Sequence, residues 1–173
     1  MYRVFNLLIL SIVMILSSCD EDQPKNVDPQ WSQEQSTELN KRFAEEEQIK
    51  IKLYLKQRPK WEMKSSGSGL RYWLYKDLEG PKAKEGDRVD VQFEVRLLND
   101  ELIYKTEDNE YSTFKVDKSD IETGVMEGVK YMSEGDEAKL IIPSHIGHGL
   151  LGDLNKIPPL EVLVVDLKLK RIY

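Results

Sequence analysis

The sequence predicts an α+β fold: a curved antiparallel five-stranded sheet wrapped around one short helix, with an N-terminal helical extension. Three observations carry this expectation. Within residues 67–173, a succession of short segments alternates apolar and polar residues with a period of two. One segment in the same region switches to spacings of three and four, the mark of a helical face. Upstream, residues 37–57 are rich in Glu, Lys, Gln and Leu and contain no Gly or Pro.

The chain opens on Arg3 and an apolar run from Val4 to Leu16, broken only by Asn6 and Ser11. A membrane span needs about 20 apolar residues, so this run reads as the hydrophobic region of a secretory signal. Leu16-Ser17-Ser18-Cys19 follows and resembles a bacterial lipobox, whose Cys is acylated and becomes the new N-terminus. Cys19 is the only cysteine in the chain. An ordinary signal peptide or signal anchor with an incidental Cys is the alternative. Residues 1–18 are expected to be the signal peptide and 19–36 a flexible tether, with Pro24, Pro29 and no apolar periodicity. Such an anchor places the protein in the bacterial cell envelope, on the outer membrane at its periplasmic or surface face.

A helix is expected from Thr37 to about Gln57, inside a helical linker of residues 37–66. Leu39, Phe43, Leu53 and Tyr54 would share its broad apolar face, diluted by charges, and Glu45-Glu46-Glu47 would be solvated. Ile49 to Leu53 also alternates as a strand would. The helix would serve as a spacer, a docking arm or a dimer contact. Trp31, Trp61 and Trp73 would pack it and the linker onto the next unit. The run Lys64-Ser65-Ser66-Gly67-Ser68-Gly69 marks the boundary with residues 67–173.

In that unit Leu70 to Tyr75 reads as a strand, and Val89, Val91, Phe93 and Val95 fall on one face of another. Leu102–Tyr104 and Phe114–Val116 are shorter candidates. Val125, Val129 and Met132 recur at four and three, so Gly124–Met132 is the short helix. Ala138–Ile142 is a strand closed by Pro143. A loop with Gly147, Gly149 and Gly152 leads through Ile157-Pro158-Pro159 to a last strand, Val162–Ile172, with Leu163, Val165, Leu167 and Leu169 on one face.

Charge and composition exclude several functions. Lys and Arg total 25 against 31 Asp and Glu, a net −6, the wrong sign for a nucleic-acid binder. One Cys admits neither an internal disulfide nor a Cys-based zinc site. His145 and His148, with Asp153 nearby, lie in a Gly-rich loop without further ligands at a metal-site spacing. No G-x-S-x-G elbow of a hydrolase occurs.

Residues 67–173 resemble the FKBP-type peptidyl-prolyl cis-trans isomerases. The matching marks are Gly86-Asp87-Arg88-Val89, Gly124-Val125-Met126-Glu127-Gly128-Val129 with Met132, and Gly135-Asp136-Glu137-Ala138-Lys139-Leu140-Ile141-Ile142-Pro143. His148-Gly149 and Ile157-Pro158-Pro159 with the closing strand complete them. A lipid anchor and a helix ahead of the domain are similar to the FKBP lipoproteins associated with gliding motility.

The resemblance implies a domain that isomerises X–Pro bonds in exported polypeptides, without cofactor, metal, covalent or acid–base residue. Phe93, Tyr104, Phe114, Ile121, Val125, Ile157 and Val165 would form its apolar wall. Tyr104 stands where the family usually has Phe, Val125 where it has a Trp on the pocket floor, and Val165 replaces an aromatic. Lys105 lies where an Asp is typical, so the carboxylate lining would be lost. His148 takes the place of a Tyr whose hydroxyl binds the ligand carbonyl, and a protonated or suitably oriented ring N–H would still donate there. Glu122 sits where an apolar residue commonly supplies a backbone N–H. These departures imply a shallower, more polar site and weak catalysis. A non-catalytic FKBP-fold chaperone or binding module, a component of motility machinery, is the alternative.

Overall fold

The computed structural model describes residues 32–173, of which 36–173 form one compact unit. The expected signal peptide, Cys19, the tether up to residue 31 and Trp31 lie outside the described residues. Helix α1 runs Gln33–Lys56, starting four residues before the expected Thr37. The missed signal is a capping box. The Ser32 hydroxyl accepts from the Gln35 N–H at 3.1 Å, and the Gln35 side-chain oxygen accepts from the Ser32 N–H at 3.0 Å. The helix ends three residues before Pro59, which cannot continue it.

The strands are β1 (Lys64–Ser65), β2 (Arg71–Lys76), β3 (Arg88–Leu97), β4 (Leu102–Lys105), β5 (Ser112–Lys115), β6 (Glu137–Ile142) and β7 (Leu163–Ile172). All pair antiparallel, in the order β1-β2-β6-β7-β3-β4. Strand β5 pairs with the first half of β3, from Arg88 to Val91, and β4 with its second half, from Glu94 to Arg96. The two therefore fill one row of the sheet in turn. The expected five rows are present, with the two-residue β1 as an added edge. The Ser/Gly run read as a boundary is a hairpin instead: Lys64 faces Tyr72, Ser65 faces Arg71, and the Ser66 N–H bonds the Leu70 carbonyl.

The short helix α2 (Thr123–Val129) lies on the concave face. Its contact is closer than side chains allow: a methyl at Gly124 would sit 2.4 Å from Ile142 Cγ2, and one at Gly128 2.5 Å from Leu140 Cδ1. The two glycines are four apart, so one stripe of α2 presses its backbone onto β6. Between them lie Val89, Val91, Val129, Met132, Leu140, Ile142, Leu163, Val165, Leu167 and Leu169, the main core.

The opposite face of the sheet is also covered. Ile141, Val162 and Val164 pack against Ile51 and Tyr54 of α1, with Leu55, Trp61 and Met63 alongside. This explains why Leu140-Ile141-Ile142 and Val162-Leu163-Val164-Val165 are continuously apolar rather than alternating. The docked face of α1 departs from expectation in two ways. Leu53 points to solvent, 58% exposed, although Tyr54 is buried. Glu47 is not solvated; it is buried and accepts both the backbone N–H and the hydroxyl of Ser144. A carboxylate can enter a core when donors meet it, and the turn Ser144–Ile146 after β6 provides two. At the other end of the docked segment, the Tyr54 hydroxyl donates to Asp100 at 2.8 Å, and Arg58 grips both Asp100 oxygens at 2.7 and 2.5 Å. Trp61 lies edge-on to Tyr54 and beside Trp73, as expected for a packed linker.

Candidate functional site

A cavity of about 330 Å³ lies between the sheet and the start of α2. Its walls follow from strand periodicity. Val91, Phe93 and Val95 project from β3, and Leu163, Val165 and Leu167 from the facing stretch of β7. Strand β4 adds Tyr104 and Lys105, and β5 adds Ser112 and Phe114. Ile121 and Glu122 enter just before α2, and Val125 comes from its first turn. His148, Asp153 and Ile157 close the fourth side from the loop between β6 and β7.

The structure thus brings into one cavity all of Phe93, Tyr104, Phe114, Ile121, Glu122, Val125, His148, Ile157 and Val165. Phe114, Ile157 and Val165 are buried, while Phe93, Tyr104, Ile121 and Val125 are half-buried and face the open volume. Eleven of the sixteen lining residues are apolar or aromatic. The polar ones, Lys105, Ser112, Glu122, His148 and Asp153, are all partly or fully exposed.

Two expectations about the polar lining are corrected. Lys105 does not leave the cavity without a carboxylate, because the β6–β7 loop folds back and brings in Asp153. The Tyr104 hydroxyl donates to Asp153 Oδ2, and the N–H groups of Ile157, Asn155 and Lys156 donate to Oδ1 at 2.7, 2.9 and 2.9 Å. The Tyr104 hydroxyl and these three donors hold the Asp153 carboxyl well below the usual carboxylate range. The same carboxylate acceptor pushes the Tyr104 phenol up. Nor is the His148 Nε2 a free donor. It lies 2.8 Å from Glu122 Oε1, and a carboxylate oxygen only accepts, so the hydrogen on Nε2 is directed at Glu122.

The Glu122 side chain is spent on that pair, but its backbone N–H meets no acceptor among the described residues. His145 is turned away, its Nε2 2.9 Å from the Ser68 carbonyl. Among the described residues no group of three metal-ligating side chains occurs. Sequence reading missed Val91, Val95, Ser112, Leu163, Leu167 and Asp153. The alternation of β3 and β7 already placed the four aliphatic residues on the inner face. Asp153-Leu154-Asn155 carried the signature of an Asx turn. Nothing in the sequence foretold that the turn would reach Tyr104.

An antiparallel sheet with one helix pressed on it and an apolar slot between them is the arrangement that the FKBP-type resemblance implies. The sequence profile of the FKBP-type peptidyl-prolyl cis-trans isomerases matches residues 80–170, and this chain belongs to that family. It is 33% identical over 157 residues to a Neisseria meningitidis protein described as a probable FKBP-type peptidyl-prolyl cis-trans isomerase FkpA, covering 88% of this chain and 57% of that protein. The crystal structure of FkpA from Escherichia coli superposes with a TM-score of 0.65 at 26% identity, over 80% of this chain and 64% of that one. A peptidyl-prolyl cis-trans isomerase from Pseudomonas syringae pv. tomato shares the fold, with a TM-score of 0.62 at 22% identity, over 72% of this chain and 91% of that one. The chain spans little more than half the length of the Neisseria meningitidis protein and of a Buchnera aphidicola FkpA that it also matches.

Proposed function

We propose that this protein is a peptidyl-prolyl cis-trans isomerase, held in the bacterial envelope by acyl groups on Cys19 and acting on proline-containing exported polypeptides. The observation that carries the reading is the convergence of Phe93, Tyr104, Ile121, Val125 and Ile157 on one apolar cavity. An X–Pro bond turns over in tens to hundreds of seconds unaided, because rotation breaks amide resonance. A catalyst needs only to bind the twisted imide better than either planar form. The twisted form has less charge separation, so a slot that excludes water favours it. The rings of Phe93 and Tyr104 and the aliphatic side chains of Ile121, Val125 and Ile157 supply that surface. The Glu122 N–H, which meets no acceptor among the described residues, offers a donor to a peptide carbonyl.

The test is a cis/trans proline-peptide assay on the purified full chain. We expect acceleration at micromolar protein, and its loss in Phe93→Ala with the far-UV spectrum unchanged. No acceleration by the native chain would overturn the enzyme reading. One observation favours a second reading, a binding or chaperone module such as the motility-associated members suggest: the His148 Nε2 is directed at Glu122 rather than at a substrate carbonyl. That reading predicts binding of unfolded chains without acceleration. For the anchor, Cys19→Ser should release the protein from the membrane fraction, and unchanged fractionation would refute it. Two or three acyl chains suffice to hold a protein on a bilayer, each CH₂ adding about 0.8 kcal/mol.

A further inference from the structure

Among the polar groups lining the cavity, Asp153 has the most bonds and the least freedom. Its carboxylate has about four lone-pair sites. Tyr104 fills one, and the N–H groups of Asn155, Lys156 and Ile157 converge on the other oxygen. Four donors from the fold already hold it, leaving at most one lone pair of Oδ2 beside the Tyr104 hydroxyl. What it does is join two walls. Tyr104 comes from β4 and Ile157 from the loop, 53 residues later in the chain, and both line the cavity. Asn155 reinforces the join, its side-chain N–H donating to the Tyr104 oxygen at 3.3 Å. The Lys156 ammonium lies 5.2 Å from the centre of the Tyr104 ring.

The surrounding loop has few other anchors. Leu150, Leu151 and Leu154 are 61%, 69% and 85% exposed and pack on little. The backbone bonds that close the loop lie at its ends, Gly149 to Ser144 at 2.8 Å and Leu160 to Gly149 at 2.9 Å. Inside it, the Asp153 N–H reaches the Ile157 carbonyl at 3.1 Å, and the backbone N–H groups of Asn155, Lys156 and Ile157 all go to the Asp153 carboxylate.

We infer that Asp153 is a positioning residue: it latches Tyr104 to the Ile157 turn and so fixes the width of the proline slot. This rests on the isomerase reading. It carries a consequence opposite to the resemblance. Phe is the family's usual residue at position 104, yet here Tyr104→Phe removes the latch and should impair the enzyme.

The experiment compares Asp153→Ala, Tyr104→Phe and the double variant in the full chain. A wall misplaced by about 1 Å costs up to a hundredfold in rate. Each single variant should therefore lose roughly ten- to a hundredfold in kcat/KM on a proline tetrapeptide. The double variant should lose no more than the worse single one, since both cut the same latch. Asp153→Asn keeps an oxygen for the three backbone donors and should fall between native and Asp153→Ala. In alkaline titration, the Tyr104 phenol, identified by its absence in Tyr104→Phe, should move toward the ordinary tyrosine value in Asp153→Ala. The amides of residues 155–157 should lose exchange protection in the same variant. A merely structural Asp153 would lower the thermal midpoint without this pattern. Activity of Asp153→Ala within twofold of native, or losses that multiply in the double variant, would overturn the proposal. If the native chain proves inactive, the isomerase reading fails; Tyr104 titration and exchange at 155–157 still decide whether the latch exists.

Discussion

Replacing Gly124 by alanine sets two effects of known sign against each other. Helix propensity favours alanine by up to about 1 kcal/mol, less in a first turn. Packing opposes it. The added methyl would lie 2.4 Å from Ile142 Cγ2 and 3.2 Å from the Ile146 carbonyl oxygen. Carbon atoms rest at about 3.5–4.0 Å, so α2 or Ile142 must move by about 1 Å. Ile142 is fully buried and β-branched, and its Cγ2 cannot swing away without leaving its rotamer. Overpacking of this kind costs about 1–3 kcal/mol. We therefore expect Gly124→Ala to destabilise the domain by about 1–2 kcal/mol net, or about 3–8 °C in thermal midpoint for a chain of this size. Urea unfolding followed by tryptophan fluorescence measures it. The double variant with Ile142→Ala removes the obstructing carbon, so its loss should fall short of the sum of the singles by about 1–2 kcal/mol. Because Glu122 caps α2 and Val125 rides on it, kcat/KM should fall more than stability alone explains. A Gly124→Ala protein as stable as native, or additive losses in the double variant, would refute the close approach as the reason for glycine.

Ile51, 1% exposed between α1 and the sheet, gives a second test: Ile51→Ala should cost about 2–5 kcal/mol by urea unfolding, whereas Leu53→Ala, two residues on and exposed, should cost under about 1. A third concerns high pH. Burial, and then the hydrogen bond to Asp100, push the Tyr54 phenol well above the ordinary tyrosine value. The raised group keeps its full contribution below about pH 10, and that contribution is lost as pH rises toward the folded value. Stability measured from pH 9 to 11 should fall more steeply in the native chain than in Tyr54→Phe.

Much of this architecture was legible because apolar periodicity reports burial directly. Val89, Val91, Phe93 and Val95 alternate, and β3 presents them to one face. Val125, Val129 and Met132, spaced four and three apart, marked the short helix, whereas the close approach of its two glycines to β6 was not drawn from the sequence. The resemblance then assembled the cavity wall from residues spread between Phe93 and Val165. What escaped depended on contacts between distant parts of the chain. Glu47 looks solvated until Ser144, 97 residues away, arrives with two donors. Asp153 lies 48 residues after Lys105 in the sequence, so nothing local said that one would return the carboxylate the other removed. The helix start was missed for a different reason: the Ser32–Gln35 capping box was present in the sequence but hidden by the polar composition around it.

The Ser144 turn does double duty. Its N–H and hydroxyl reach Glu47 on α1, while its carbonyl receives the N–H groups of Gly147 and Gly149, the start of the loop that bears His148 and Asp153. The stem and the rim of the slot are thus two bonds apart. A fragment beginning at residue 67 would strip Glu47 from those donors and lay Ile141, Val162 and Val164 open to water. It would be prone to self-association, and its rim would lose a foundation. The stem is part of the folded body to which it belongs, and any handling of the isolated barrel-like half would be measuring a different molecule.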